Sequence, residues 1–344
     1  MTGVIPASWS NGAAIAQRAG RIMDVILHVG VHRTGSTTFQ SYIRRNTSQL
    51  TERGIGYWGP QRTRRGLFYG IFPSPRRNLG RNAQSRAEGR VQMQLARSDK
   101  NGVRKLLISD ENMIGSVRHN LRKRSLYPAI GERMARFARA FDGRVTHVVL
   151  NIRAQDLYWS SSIAYGVARG HRMLPAEGFQ NMADARRSWR DVITDVACAF
   201  PDTQIRVLPF ERYQGRADAM LEACIDEEAP KDVAPEWLNR ASDVNGLRQI
   251  LAERGDISGL KLLGTNIGAR RWVPFDDTQN AHLREAYADD LHWLVSGADG
   301  LATLTEDTMT ENWDQTGTGN IPHFDPLTRG QQHDKQERYV AGHR

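Results

Sequence analysis

With 344 residues, 40% of them hydrophobic and 25% charged, the chain is long enough to bury a large core, as one sizeable α/β domain or two smaller ones. The formal net charge of +9 points to an acidic ligand, an acidic polymer or a membrane surface, whereas no zinc pattern, basic zipper or RNP-like aromatic run supports nucleic acid. No apolar run of about 18 residues occurs, and residues 1–22 lack the apolar stretch of a signal peptide, so no transmembrane segment and a cytoplasmic location are expected.

Residues 1–22 are small and polar, with Pro6 and several glycines, and read as a flexible segment ahead of a domain covering 23–307. Val25–Val29 is a short apolar run of the kind that forms a buried parallel strand. Gly30 and Gly35 then bracket a small hydroxyl-rich turn, and Ser36, Thr37 and Thr38 open a helix that continues through Phe39, Tyr42 and Ile43. A strand, a glycine-bracketed loop and a helix N-terminus make an anion cradle, because backbone N–H groups and the helix dipole converge on one place. The spacing nearly matches the P-loop G-x-x-x-x-G-K-[ST]. Ser36, however, takes the lysine's position, and the cation sits inside the loop at Arg33. Losing that lysine weakens a reading as an ATPase or kinase.

An arginine-rich segment follows at about 60–100, carrying Arg62, Arg64, Arg65, Arg76, Arg77, Arg81, Arg86, Arg90 and Arg97, interrupted by Pro73 and Pro75. It reads either as a solvated insertion or as a flap that attracts an anionic acceptor and covers a nucleotide. Lys105–Ser109 is the next strand, and Asp110-Glu111-Asn112 follows it directly. Carboxylates there face the ligand side of an open α/β sheet, although either could instead cap the next helix. Helical spacing extends from about Tyr127 to Phe141, and Thr146–Ile152 is a buried strand ending at Arg153. Helices are predicted over Gln155–Val167 and from about Ala183 to Phe200, then a strand over Ile205–Pro209.

Further helices are expected within 215–262 and an amphipathic one over Thr278–Leu294, while the polar tail 308–344 reads as disordered. Alternating strands and helices predict an α/β fold, a P-loop NTPase-like parallel sheet flanked by helices on both faces. Cys198 and Cys224 fit neither a metal motif nor a disulfide framework and read as small core residues in a reducing compartment. The scattered His323, His333 and His343 make no metal-ligand set.

The stretch HVGVHRTGSTTFQ resembles the 5′-phosphosulfate loop of sulfotransferases that use 3′-phosphoadenylyl sulfate (PAPS), whose pattern is close to K-[TS]-G-[TS]-T. Arg33 stands where that family usually has lysine. Arg153 at a strand end, with Ser161 eight residues on along the adjoining helix, resembles the same family's 3′-phosphate motif. The resemblance covers roughly 24–43, 104–112, 146–166 and 204–214. It implies PAPS as cosubstrate, PAP as product, no metal, and in-line transfer of a sulfuryl group to a hydroxyl or amine of an acceptor: carbohydrate, lipid or small molecule. It assigns Arg33, Thr34, Gly35, Ser36, Thr37, Thr38, Arg153 and Ser161 to the nucleotide, with Arg33 also stabilising the departing phosphate. Glu111 is the base candidate, with Asp110 and His32 as competitors; His28 reads as a satisfied core histidine. Gly268 to Trp272 is a loose match to a nucleotide-covering loop. The rival readings are a P-loop kinase-like phosphotransferase and a non-catalytic polyanion-binding protein.

Overall fold

In the computed structural model, which describes residues 23–71, 82–231, 238, 242–264 and 272–305, the apolar runs pair into a six-stranded sheet. Its strands are β1 (Asp24–His28), β2 (Ile55–Trp58), β3 (Lys105–Ser109), β4 (Val145–Ile152), β5 (Gln204–Pro209) and β6 (Thr303–Leu304). Every pairing is parallel, in the order β2-β3-β1-β4-β5-β6.

The helices are α1 (Ser36–Arg45), α2 (Thr47–Glu52), α3 (Ala83–Lys100), α4 (Val117–Lys123), α5 (Ile130–Phe141) and α6 (Gln155–Ala168). They continue with α7 (Ala176–Ala183), α8 (Trp189–Ala199), α9 (Ala217–Ile225), α10 (Val244–Glu253), α11 (Ile257–Leu263) and α12 (Asp277–Val295). Short helical turns follow β2 (Pro60–Arg62, Thr63–Leu67), β3 (Glu111–Met113) and β5 (Phe210–Tyr213).

The alternation along each strand divides the interior into two cores. Val25 and Leu27, Leu106 and Ile108, Val148 and Leu150, and Ile205 and Val207 enter one core, with α3, α5, α6, α8 and α12. Ile26, Leu107, Val149 and Leu208 enter the other, with α1, α2 and α9. Both faces are therefore covered, which is why the strands read as unbroken apolar runs. No helix among the described residues is long and apolar enough to cross a membrane.

Several expectations are corrected. Over its described length the arginine-rich segment is not a loose insertion. Its second half is α3, whose Ala87, Val91 and Leu95 at helical spacing are wholly buried. The helix predicted over 183–200 begins only at Trp189, because α7 ends at Ala183 and 184–188 break the two apart. No proline marks the break; Ser188 and Asp191 form a capping box that starts α8 afresh. α5 begins at Ile130 rather than Tyr127, because Tyr127 takes a left-handed backbone (φ 42°) before Pro128. Cys224 is buried, but Cys198 is exposed on the outer side of α8. The N-terminal 1–22 segment, the 308–344 tail and Gly268–Arg271 lie outside the described residues.

Candidate active site

β1 is flanked by β3 on one side and β4 on the other. The chain leaves β1 for β2 and β3 on one side, then crosses to β4 and β5. That reversal is the switch point where open parallel sheets bind ligands beyond their carboxyl ends. The residues after β1, β3 and β4 are the Arg33 loop, Asp110-Glu111 and Arg153.

The loop from Gly30 to Gly35 folds tightly for identifiable reasons. Gly30 takes φ 46°, and a Cβ there would sit 2.7 Å from Ser36 Oγ, so the close turn requires glycine. The Thr34 hydroxyl donates to the Val31 carbonyl at 2.6 Å, tying the loop across itself. α1 begins at Ser36 after a left-handed Gly35 (φ 78°), with no side-chain cap on its first turn. The N–H groups that an N-terminus leaves unsatisfied thus lie at the loop. Thr38 Oγ1 accepts from the Leu238 amide at 3.0 Å.

Arg33 itself takes φ 70°, a conformation that costs a non-glycine residue on the order of 1–2 kcal/mol. Two contacts hold it. Arg153 Nη1 donates to the Arg33 carbonyl at 2.6 Å, and Arg33 Nε donates to Ser161 Oγ at 3.0 Å. The loop residue and both members of the Arg153–Ser161 pair therefore meet. The Arg33 guanidinium also lies 4.8 Å from the Tyr165 ring centroid, and that of Arg153 lies 4.8 Å from the Phe210 centroid. Arg153 is 8% exposed, and its carbonyl accepts from Trp189 Nε1 at 2.7 Å. Burial, with the Arg169 charge, lowers the Arg33 pKa, partly offset by Tyr165.

A buried polar chain crosses the ends of β4, β1 and β3. His28 Nε2 donates to Asn151 Oδ1 at 2.8 Å, and Ser109 donates to His28 Nδ1 at 2.8 Å. Gln40 on α1 donates to Ser109 Oγ at 3.2 Å and to Glu111 Oε2 at 2.9 Å. His28 is thereby a satisfied core histidine, and burial pushes its pKa down to about 4.

Glu111 and Asp110 differ sharply. Asp110 is fully buried, caps the Glu111–Met113 turn by accepting from the Asn112 amide at 3.0 Å, and takes the Thr63 hydroxyl. Arg64 grips one of its oxygens at 3.1 and 2.7 Å. The capping role thus falls to Asp110. Glu111 keeps 16% of its side-chain surface and meets Arg64 at 2.9 Å. Burial alone would raise its pKa, but Arg64, His32 and Gln40 outweigh that and hold it below the usual carboxylate range. His32 has both ring nitrogens engaged, Nδ1 with the Tyr127 hydroxyl at 2.8 Å and Nε2 with Asn112 Oδ1 at 3.2 Å, and burial lowers its pKa.

Arg64, Gln40, Tyr127 and Tyr165 were not singled out from sequence. Only Arg64 carried a signal, as one of many arginines. Beside the loop a hollow with an empty volume of ≈ 280 Å³, open to solvent, is walled by Thr34, Gly35, Thr38, Phe210 and Tyr213. No group of three or more His, Cys, Asp or Glu residues able to hold a metal occurs among the described residues.

The molecule is an α/β protein with a fully parallel six-stranded sheet, and an arginine- and hydroxyl-lined loop stands at that sheet's switch point. No family model, curated protein or solved structure matches the chain.

Proposed function

We propose that the protein is a PAPS-dependent sulfotransferase on a P-loop-like version of this fold, acting on a hydroxyl or amine acceptor. The observation that carries the reading is the joining of Arg33, Arg153 and Ser161: Arg153 holds the Arg33 carbonyl and Arg33 reaches Ser161. Two oxyanion-binding groups, one on the loop after β1 and one after β4, thereby become neighbours, as a nucleotide phosphorylated at both 5′ and 3′ positions requires. The donor set fits such a group. It offers guanidiniums, Ser and Thr hydroxyls and the uncapped start of α1, and Gly30 lets the loop fold closely over Ser36 where a Cβ would clash.

Thr34, Gly35, Ser36, Thr37 and Thr38 would hold the 5′ phosphosulfate, and Arg153 with Ser161 the 3′ phosphate. Phe210 and Tyr213 offer flat walls for a base. PAPS would supply the sulfuryl group: the acceptor's oxygen or nitrogen would bond to sulfur as sulfur's bond to the bridging phosphate oxygen breaks, PAP would leave, and the proton the acceptor loses would pass to Glu111. Glu111 suits the base role better than its competitors. Both Glu111 oxygens have a partner, Arg64 and Gln40, but the side chain keeps solvent-facing surface, whereas Asp110 is fully buried under Arg64, Thr63 and Asn112, and both His32 nitrogens are occupied. The kinase alternative suffers from Ser36 in the lysine position and from the burial of Asp110 under Arg64 and Thr63.

Calorimetry with PAP, 5′-AMP and ATP tests the reading. Binding of PAP well above that of 5′-AMP is expected, and equal affinities would remove the 3′ site. Transfer from labelled PAPS is expected to persist in excess EDTA; loss that magnesium restores would transfer the assignment to a phosphotransferase.

A further inference from the structure

A cluster of cations lies on α4 and at the end of α6. α4 packs on α6: Leu121 Cδ1 lies 3.0 Å from where a Cβ on Gly166 would be, and Asn120 donates to the Tyr158 hydroxyl at 2.7 Å. The stretch from Val117 to Arg124 carries Arg118, Arg122, Lys123 and Arg124, and the segment leaving α6 carries Arg169 and Arg172, with no acid in either. Arg118, Arg122, Lys123, Arg169 and Arg172 are exposed. None of these residues, nor Arg124, forms a salt bridge among the described residues.

The acids near them form no ion pair with them among the described residues. Asp256, in the field of Arg172, is engaged at the start of α11 by the Gly259 amide and the Ser258 hydroxyl, each at 2.8 Å. Glu177 is an exposed residue of α7, next to the Gly178 that Arg124 approaches. The fields of the cations are felt locally. Besides burial, Arg118 lowers the pKa of His171, and Arg122 and Lys123 lower that of His119. Gathering like charges without acidic partners opposes folding, so a ligand that offsets them is the economical explanation.

The patch is continuous with the candidate site. Arg169 lies 4.4 Å from the Tyr165 ring centroid, and the same ring carries Arg33 at 4.8 Å. We propose that the α4–α6 face binds an acidic polysaccharide, a chain bearing carboxylate or sulfate groups, and leads its hydroxyl or amine to the Arg33 loop as the acceptor. This rests on the sulfotransferase reading above. A narrow polymer can run along exposed cations into the half-buried Arg33, whereas a flat bilayer cannot. Nucleic acid lacks a stacking platform here, since Tyr165 already carries two guanidiniums. The exposed Ile257 and Leu262 on α11 make an anionic membrane the competing occupant, which the test addresses.

The full chain is titrated with polygalacturonate (carboxylate only), dextran sulfate (sulfate only), neutral dextran, single-stranded DNA and vesicles of phosphatidylcholine with phosphatidylserine. Binding of an acidic polysaccharide is expected, with none to neutral dextran. The two acidic polymers distinguish which anion is read. The double variant R118A/R122A is expected to bind about tenfold more weakly with a shallower salt dependence, as two lost ionic contacts require. R136A/R139A on α5 removes the same charge from elsewhere and should bind like the parent. Equal losses in the two variants would reduce the effect to bulk charge, and preferential binding of DNA or vesicles would name another occupant; each overturns the proposal. PAP affinity, measured in parallel and expected to be unchanged in both variants, keeps the two readings apart. Failure of PAP to bind removes the sulfotransferase assignment and, with it, the acceptor role of this face, while polysaccharide binding lost only in R118A/R122A would still locate a polyanion site.

Discussion

Arg64 closes on Glu111 at 2.9 Å while its other contacts, at 2.7 and 3.1 Å, hold the buried Asp110. One guanidinium thus anchors a structural carboxylate and depresses the pKa of the candidate base beside it. Arg64→Ala is expected to destabilise the fold by about 1–3 kcal/mol. That is less than breaking a wholly buried pair, because Arg64 is 39% exposed and Thr63 and Asn112 still serve Asp110. The Glu111 pKa should rise, so the acid limb of the rate profile should move to higher pH. Denaturant melts and single-turnover rates against pH measure both, and an unmoved limb would separate Arg64 from the base.

Glu111→Gln should keep PAP affinity, lower the melting temperature only modestly through the lost Arg64 pairing, and lose about 10²–10⁴ in turnover, the usual contribution of a positioned general base. Asp110→Asn should behave differently, with a larger fall in melting temperature, since Asp110 is the cap and the ion-pair partner. Turnover that survives in Glu111→Gln would place the base elsewhere.

How much of this was legible beforehand depended on what each residue's neighbours had to be. β1, β3, β4 and β5 are central strands covered on both faces, so their apolar runs announced them. The start of α1 at Ser36 followed from the glycine-bracketed loop, and Arg153 and Ser161, singled out by their spacing, each contact Arg33. β2 was missed because IGYW is short and contains Gly56, and β6 because two residues carry no period. The break before α8 was readable after all in the spacing of Ser188 and Asp191. What no local pattern could reveal is that Arg64 would turn back on Asp110, or that Gln40 would link Ser109 to Glu111. Those contacts exist only once the strands are ordered.

Arg153→Ala is expected to weaken PAP binding by about 1.5–3 kcal/mol, the scale of a hydrogen bond to a charged group. It also releases the carbonyl of the left-handed Arg33, so the loop should loosen as well, readable as faster amide exchange from 31 to 36. Ser161→Ala removes a neutral donor and should cost less. Unchanged nucleotide affinity in Arg153→Ala would detach this arginine from the ligand.

The His28 chain makes a prediction that is independent of any ligand. His28 is 1% exposed, donates to Asn151, accepts from Ser109, and has its pKa lowered from 6.5 to about 4. The folded state therefore keeps the ring neutral where the unfolded chain would take up a proton. Below 6.5 the unfolded state binds more protons than the native one, so stability rises with pH across the window from about 4 to 6.5 and is fully present above it. The difference amounts to roughly 3 kcal/mol lost on acidification, with His32, also depressed, adding in the same direction. His28→Gln retains a donor and an acceptor but cannot titrate. It should be less stable than the parent at pH 7 and show a visibly flatter stability profile between pH 4 and 6.5. Urea melts at closely spaced pH values measure this, and parallel profiles for the two proteins would mean that His28 carries no proton linkage and that the acid sensitivity arises from other groups.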